Sequence, residues 1–385
     1  MRILQVSSAR AFGGGERHLA DLSRALAVRG HELYAAIEPG SPLREPLLAA
    51  LPPNNIYELS LRRLHDARGA LKLARFARAN RIDLIHAHVA RDYVPAFFAA
   101  AARRARGPRL VITRHVLFPL SSFNRLVLSK AARVIAVSEA VARSLRAQKI
   151  SGPEKIRVVT NGVDLRRFEE ARAAFEREET DAREETERGT THARLRVGIV
   201  GELSEVKNQE EFVRAAALLA DEFAGRVEFL IVGDELASSG VYGAWLEKLI
   251  ARHQLTDSVR LVRRCKDVAP LIASLDVLVS ASRSEAFGMV MAEAAACGVP
   301  VVATATEGAR EIVADGATGW IVPIGDVRAL ASAVALMFRY EELRLRLGSR
   351  AREVARERFS LERMVTETER VYDEALGVEE TAHVE

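Results

Sequence analysis

Short, mostly apolar runs separated by helical patterns occupy nearly all of the chain. Ile3 to Val6, Leu33 to Ile37, Leu84 to His86, Leu110 to Thr113 and Val134 to Val137 are such runs, and Gly15 to Arg29 has helical periodicity between the first two. Short apolar runs of this kind predict strands buried on both faces, as in a parallel sheet covered by helices. The alternation resumes with Val197 to Val200, Glu228 to Val232, Val259 to Val262, Val277 to Val279 and Val299 to Ala303, with helices predicted at Glu210 to Ala220 and Tyr242 to His253. Two successive α/β domains follow, as expected for 385 residues when one core stops growing near about 250–300.

The joint between them is predicted from polarity. Leu165 to Arg196 holds nine acidic and eight basic residues and almost nothing large and apolar after Phe175, too little for a core. Its first part reads as a charged helix and Arg188 to Ala193 as loose chain. The expected organisation is therefore an N-terminal domain at 1–164, a charged connection at 165–194 and a C-terminal domain at 195–360. Leu361 to Leu376, with Met364, Val371 and Leu376 apolar, predicts an amphipathic helix, and residues beyond Gly377 a frayed tail.

Composition changes this picture only through charge and cysteine. The start, Met1 to Val6, reads as a strand rather than a signal peptide, and runs such as Val94 to Ala102 fall short of the roughly 18 residues that span a bilayer. Cys265 and Cys297 match no metal-ligand spacing, so a reduced, cytoplasmic setting is expected. The net charge of +4 hides a division: residues 1–164 carry +15 and the remainder −11. A basic half points to an anionic partner or to a solvated arginine-rich surface. Nucleic acid is disfavoured, because the basic residues lack interleaved aromatics. In Arg62 to Arg81, Arg68, Lys72 and Arg75 are predicted opposite Leu64, Leu71 and Ala74 on a helix, a pattern suited to peripheral contact with an anionic membrane surface.

Three stretches carry candidate chemistry. Phe12-Gly13-Gly14-Gly15-Glu16-Arg17-His18 follows the first strand and opens the first helix, where glycines and helix N–H groups suit a phosphate; a tight strand-helix turn is the alternative. Gly201 to Asn208 holds the corresponding place in the second half, with Lys207 able to neutralise a diphosphate or simply to lie on the surface. The third stretch, "SEAFGMVMAEAAACGVP" at 284–300, sets Glu285 and Glu293 in an apolar run. If a helix starts at Phe287 or Gly288, Glu285 precedes it and Glu293 lies about two turns inside, roughly 8–12 Å away along the axis. Retaining glycosidases need their carboxylates about 5 Å apart, so the spacing instead suits two diols of one long ligand, or else Glu293 merely faces solvent.

Together these stretches resemble the retaining nucleotide-sugar glycosyltransferases of the GT-B fold, specifically the bacterial group 1 family with its Glu-x7-Glu signature. "GGGERHLADLSRALAVRGHEL" at 13–33, "ARVIAVSEAV" at 132–141, "VVTNGVD" at 158–164, "VGELSEVKNQEEFVRAA" at 200–216, the glutamate stretch continued to 304, and "EIVADGATGWIV" at 311–322 carry the resemblance. It implies an α/β architecture of two Rossmann-like domains facing a cleft, the first binding acceptor and the second a nucleotide-sugar donor, with the C-terminal helix returning to the first. It implies Gly14 and Gly15 near the donor phosphates, Lys207 on the diphosphate, and Glu285 with Phe287, Gly288, Met289 and Val290 on the sugar. Glu293 would hold the ribose, Arg264 and Cys265 the base, and His115 would be the active-site histidine, with Glu285 counted beside it as catalytic. Glu16 and Arg17 are the acceptor-side candidates.

The implied reaction is metal-independent transfer of a hexosyl group from a UDP- or GDP-sugar, with retention of configuration and no resident cofactor. A lipid-linked, lipopolysaccharide-type or other cell-surface glycan acceptor at the inner face of the cytoplasmic membrane is the expectation from the basic half. One departure stands out: Glu202 occupies the place where the family commonly has arginine, and a carboxylate repels diphosphate. A nucleotide-sugar epimerase of the same architecture and a non-catalytic sugar-nucleotide binding protein remain the alternatives.

Overall fold

The computed structural model describes residues 1–61, 67–102, 107–148, 150, 152–186, 194–235 and 240–378. The chain divides into two compact units, one formed by Met1–Gly162 with Leu361–Glu385 and the other by Val163–Ser360.

In the first unit the chain alternates strand and helix: β1 (Arg2–Ser7), α1 (Gly14–Val28), β2 (Glu32–Ile37), α2 (Arg44–Leu48), β3 (Ile56–Glu58), α3 (Ala67–Ala79), β4 (Leu84–Ala87), α4 (Tyr93–Ala101), β5 (Arg109–Arg114), α5 (Ser122–Lys130), β6 (Arg133–Ala136), α6 (Glu139–Ala147) and β7 (Ile156–Val158). The sheet is parallel throughout, in the order β3-β2-β1-β4-β5-β6-β7. Strands covered on both faces explain the nearly continuous apolar runs. The order reverses between β1 and β4, and at such a switch point the loops after the two strands part and leave a crevice at their carboxyl ends.

The second unit contains α7 (Leu165–Thr186), β8 (Leu195–Val200), α8 (Gln209–Ala220), β9 (Val227–Val232), α9 (Val241–Arg252), β10 (Val259–Val262), α10 (Ala269–Ala273), β11 (Val277–Ser280), α11 (Met289–Cys297), β12 (Val301–Thr304), α12 (Glu307–Ile312), β13 (Gly319–Val322), α13 (Val327–Arg339) and α14 (Glu341–Arg358). Its sheet, also parallel, runs β10-β9-β8-β11-β12-β13, with the switch point between β8 and β11. Phe212, Phe229, Leu246, Met337 and Phe338 anchor its core.

Two expectations need correction here. The segment at 165–194 is not merely a connection: α7 belongs to the second unit and packs on α10 and α11, burying Phe168 to 2% exposure. Arg172 Nη1 also donates to the Ala273 carbonyl at 2.9 Å, and Arg167 and Glu169 pair with Asp267 and Arg356, contacts across long separations that a composition average hides. Arg188 to Ala193 lie outside the described residues. The second correction concerns α3. Gly69, Ala70, Leu73 and Ala77 form its buried face, whereas Leu71, placed on the apolar side by the sequence reading, is 52% exposed alongside Arg68, Lys72 and Arg75. Leu64 lies outside the described residues.

The last helix, α15 (Leu361–Leu376), packs in the first unit against α1, β5 and β6 through Met364, Val365, Val371 and Tyr372. Its acidic side chains meet the basic ones of that unit: Glu369 pairs with Arg29 and His31, and Glu374 with Arg133 and Arg157. Counted with residues 361–385, which hold eight acidic and two basic residues, the first unit carries +10. No helix among the described residues is long and apolar enough to cross a membrane.

Candidate functional site

In the second unit the loops after β8, β9, β10 and β11 gather at the carboxyl ends of the strands. Gly233, after β9, is required there: its φ is +152°, and a Cβ would come 1.8 Å from the Gly201 carbonyl oxygen. Leu203 N donates to the Asp234 carbonyl at 3.0 Å and Arg264 N to the Asp234 carboxylate at 2.9 Å, joining the three loops. Arg264 is exposed in a left-handed conformation, and the Cys265 thiol donates to the Asp267 carbonyl.

The loop after β8 is also tied to the loop after β11. Asn208, the left-handed N-cap of α8, donates its side-chain amide to the Ala281 carbonyl at 3.2 Å, while Arg283 N donates to the Val206 carbonyl at 2.8 Å. This stitching sets Lys207 Nζ 2.5 Å from Glu285 Oε2, with both side chains largely shielded. An ammonium and a carboxylate separated by 78 positions therefore meet at the switch point. Glu202 lies exposed in the same loop; partial desolvation raises its carboxyl pKa while Lys207 pulls it down.

Helix α11 begins at Met289, with Gly288 as a left-handed cap (φ +98°) whose Cβ would meet Met291 Cε at 2.1 Å and Glu285 Cγ at 3.2 Å. Gly308 N donates to the Glu285 carbonyl at 3.0 Å, and Phe287 is buried against Phe359. Met289 and Val290 remain half-buried at the helix start, where the first N–H groups have no intrahelical acceptor and suit an anion. Glu293 is the fifth residue of the helix, so it lies about one turn in rather than two. It does not face solvent: it is 4% exposed, on a helix buried from Met291 to Cys297. Burial also pushes the neighbouring Cys297 thiol up to about 12, so it stays a thiol.

In the first unit, Gly13 caps α1 and Glu16 Oε2 accepts from Gly13 N at 3.0 Å, which gives this acceptor-side candidate a helix-capping task. Burial raises the Glu16 pKa. Gly14 opens α1, and Gly15 faces His115, where a Cβ would sit 3.7 Å from the ring. Arg17 follows in the same first turn, its N–H donating to the Gly13 carbonyl.

Four histidines converge beside this turn, of which the sequence reading singled out only His115. His86 and His88 share one face of β4 and its end, because strand side chains alternate with a period of two; Thr113 and His115 do so along β5. His18, buried on α1, covers them, its ring centroid 4.9 Å from that of His115. His86 bonds the Tyr372 hydroxyl at 2.7 Å and Thr113 Oγ1 at 2.6 Å. His88 Nε2 lies 2.8 Å from Gln5 Oε1, and His88 Nδ1 lies 3.3 Å from His115 Nε2. The Gln5 oxygen can only accept, so His88 carries its proton on Nε2 and offers the Nδ1 lone pair to His115. Burial holds all four rings neutral: His18 is lowered to about 4, and His86, His88 and His115 well below the ordinary value. The spacing of "HAH" at 86–88 was the signal available in the sequence.

Asp92 closes the switch point of this unit. Its Oδ2 accepts from Ser8 N at 2.8 Å, linking the loop after β1 to the start of α4, and burial raises its pKa to about 6.

The model of glycosyl transferases group 1 matches residues 182–354, and that of glycosyltransferase family 4 matches residues 12–167. N-acetyl-alpha-D-glucosaminyl L-malate synthase of Bacillus anthracis is 28% identical over 382 residues, 95% of each chain. D-inositol 3-phosphate glycosyltransferase of Salinispora arenicola is 29% identical over 333 residues, 80% of this chain and 72% of that one. Among solved structures, HepE of Anabaena in complex with UDP-glucose matches with a TM-score of 0.82 at 24% identity, over 97% of this chain and 99% of that one.

Proposed function

Because the chain belongs to the group 1 glycosyltransferases of the GT-B fold, we propose that it transfers a sugar from a UDP-sugar to a hydroxyl of an anionic acceptor, retaining the anomeric configuration. The observation that carries this reading is the Lys207–Glu285 pair at the carboxyl ends of β8 and β11. Without donor, each charge answers the other; with donor, Lys207 turns to the diphosphate and Glu285 to sugar hydroxyls, while the α11 N-terminus supplies N–H groups. Glu293 accepts from the ribose hydroxyls, and the Arg264–Cys265 backbone borders the base. The departing diphosphate takes the acceptor proton, so no further carboxylate base is needed. Lys207 and the helix dipole then balance the developing charge without a metal at the diphosphate.

Three observations support uridine and an anionic acceptor. HepE, of the same fold, is described with UDP-glucose, and the two curated relatives are named for L-malate and inositol 3-phosphate, both hydroxylated anions. The net +10 of the first unit suits such an acceptor. A membrane-borne acceptor is the second reading, favoured by the exposed Arg68, Lys72, Arg75 and Leu71 of α3.

The test is UDP release from UDP-glucose and UDP-N-acetylglucosamine with and without L-malate, inositol 3-phosphate or an undecaprenyl-linked sugar, with the product anomer read by proton NMR. Acceptor-dependent release and an anomer matching that of the donor are expected. An isomerised sugar nucleotide formed without acceptor identifies an epimerase, and binding without turnover identifies a sugar-nucleotide binding protein.

A further inference from the structure

The histidine cluster of the first unit has a geometry that sugar transfer does not require. One ring nitrogen from each of His18, His88 and His115 lies within 4.8 Å of the others. One pair, His88 Nδ1 and His115 Nε2, is 3.3 Å apart, which is about the separation of two nitrogens bonded at roughly 2.0–2.1 Å to one tetrahedral ion. We propose that His18, His88 and His115 together form a three-imidazole site for a borderline transition-metal ion such as zinc or cobalt(II).

Three further features favour the site. Gln5 Oε1 holds the outer N–H of His88, the arrangement that orients a ligating imidazole and fixes which nitrogen faces the metal. His18, only 2% exposed, leaves Nδ1 buried outside hydrogen-bond geometry, with Asn161 beside the ring. His115 alone of the three is not fully buried, so an ion can enter from its side. In the metal-free protein His115 donates its Nε2 proton to His88; on binding, that proton moves to His115 Nδ1 and both lone pairs turn to the ion. Three neutral ligands leave the fourth position to water or a small anion.

Cobalt(II) absorption and equilibrium dialysis with zinc test the site directly. The wild type should bind about one equivalent at micromolar metal with the visible bands of low-coordinate cobalt, and His18→Ala and His88→Ala should each weaken binding at least about tenfold. Gln5→Leu should weaken it by about 10- to 100-fold. His253→Ala, on the second unit, should change nothing. Should a buried variant fail the melting and circular-dichroism check, His115→Ala replaces it. No metal bound at about 100 µM, or equal binding by the folded variants, overturns the proposal. A UDP-induced melting shift in the same samples separates failure of the metal site from failure of the donor-binding reading.

Discussion

Lys207 Nζ and Glu285 Oε2, 78 positions apart in the chain, lie 2.5 Å from each other where the order of the second sheet reverses. The pair gives Glu285, in an otherwise apolar stretch, an ammonium beside it. It also fixes what removal of either member does. Lys207→Met should weaken UDP-sugar binding by about 10- to 100-fold, roughly 1.4–2.7 kcal/mol, and Glu285→Gln should lower kcat by a similar factor or more. Titration calorimetry and initial rates separate the two effects. Unchanged donor affinity in Lys207→Met would leave the ammonium outside the diphosphate site.

Gly233 sets the distance between the loops after β8 and β9. Gly233→Ala should destabilise the protein by more than about 2 kcal/mol, since the added carbon overlaps the Gly201 carbonyl and the backbone angle is one alanine avoids. Gly225→Ala, whose Cβ meets nothing within 4 Å, isolates the conformational contribution of about 1 kcal/mol. Denaturant midpoints of the two variants check the ordering.

Two buried groups give pH dependences of opposite sign. Asp92 has its pKa raised from 3.8 to about 6, so the fold favours its protonated form, and stability falls as pH rises through that interval. Asp92→Asn keeps an acceptor for Ser8 N and removes the titration. Relative to wild type it should gain on the order of 2–3 kcal/mol between pH 4 and pH 7. His18, lowered from 6.5 to about 4, works the other way: its neutral ring is favoured, and stability is lost as pH falls through that interval. His18→Asn should therefore flatten the acid side of the profile. Melting temperatures across this pH range read both.

Much of this was legible in the sequence because parallel strands bury both faces and show as apolar runs; the limits of β8, read as Val197 to Val200 and observed as Leu195–Val200, differ only by Leu195 and Arg196, which pair with β9 but are less buried. The glycine turns before α1 and α11 were legible for a similar local reason. What local pattern could not reveal was assembly across long separations. His18, His88 and His115 meet only because β1, β4 and β5 are neighbours under α1, and the "HAH" spacing pairs His88 with His86 but not with the other two. The placement of α7 turned on Phe168 and on ion pairs with distant residues, Arg167–Asp267 and Glu169–Arg356, and the burial of Glu293 on the helices around α11.

Salt-dependent flotation tests the second acceptor reading. If α3 contacts anionic lipid, binding to phosphatidylglycerol vesicles should be present at low salt, be lost at about 0.5 M, and weaken in a variant with Arg68, Lys72 and Arg75 replaced by glutamine. Absence of binding at low salt leaves the soluble anionic acceptor as the sole reading.

The most direct measurement is the melting shift produced by UDP and its sugar conjugates in wild type and in Glu293→Gln. UDP at about 100 times its dissociation constant should add about 2.7 kcal/mol to the wild type, while Glu293→Gln should melt within a few degrees of wild type when unliganded and lose most of that shift. An equal UDP shift in both proteins would contradict a ribose held by Glu293, and with it the placement of the donor along α11.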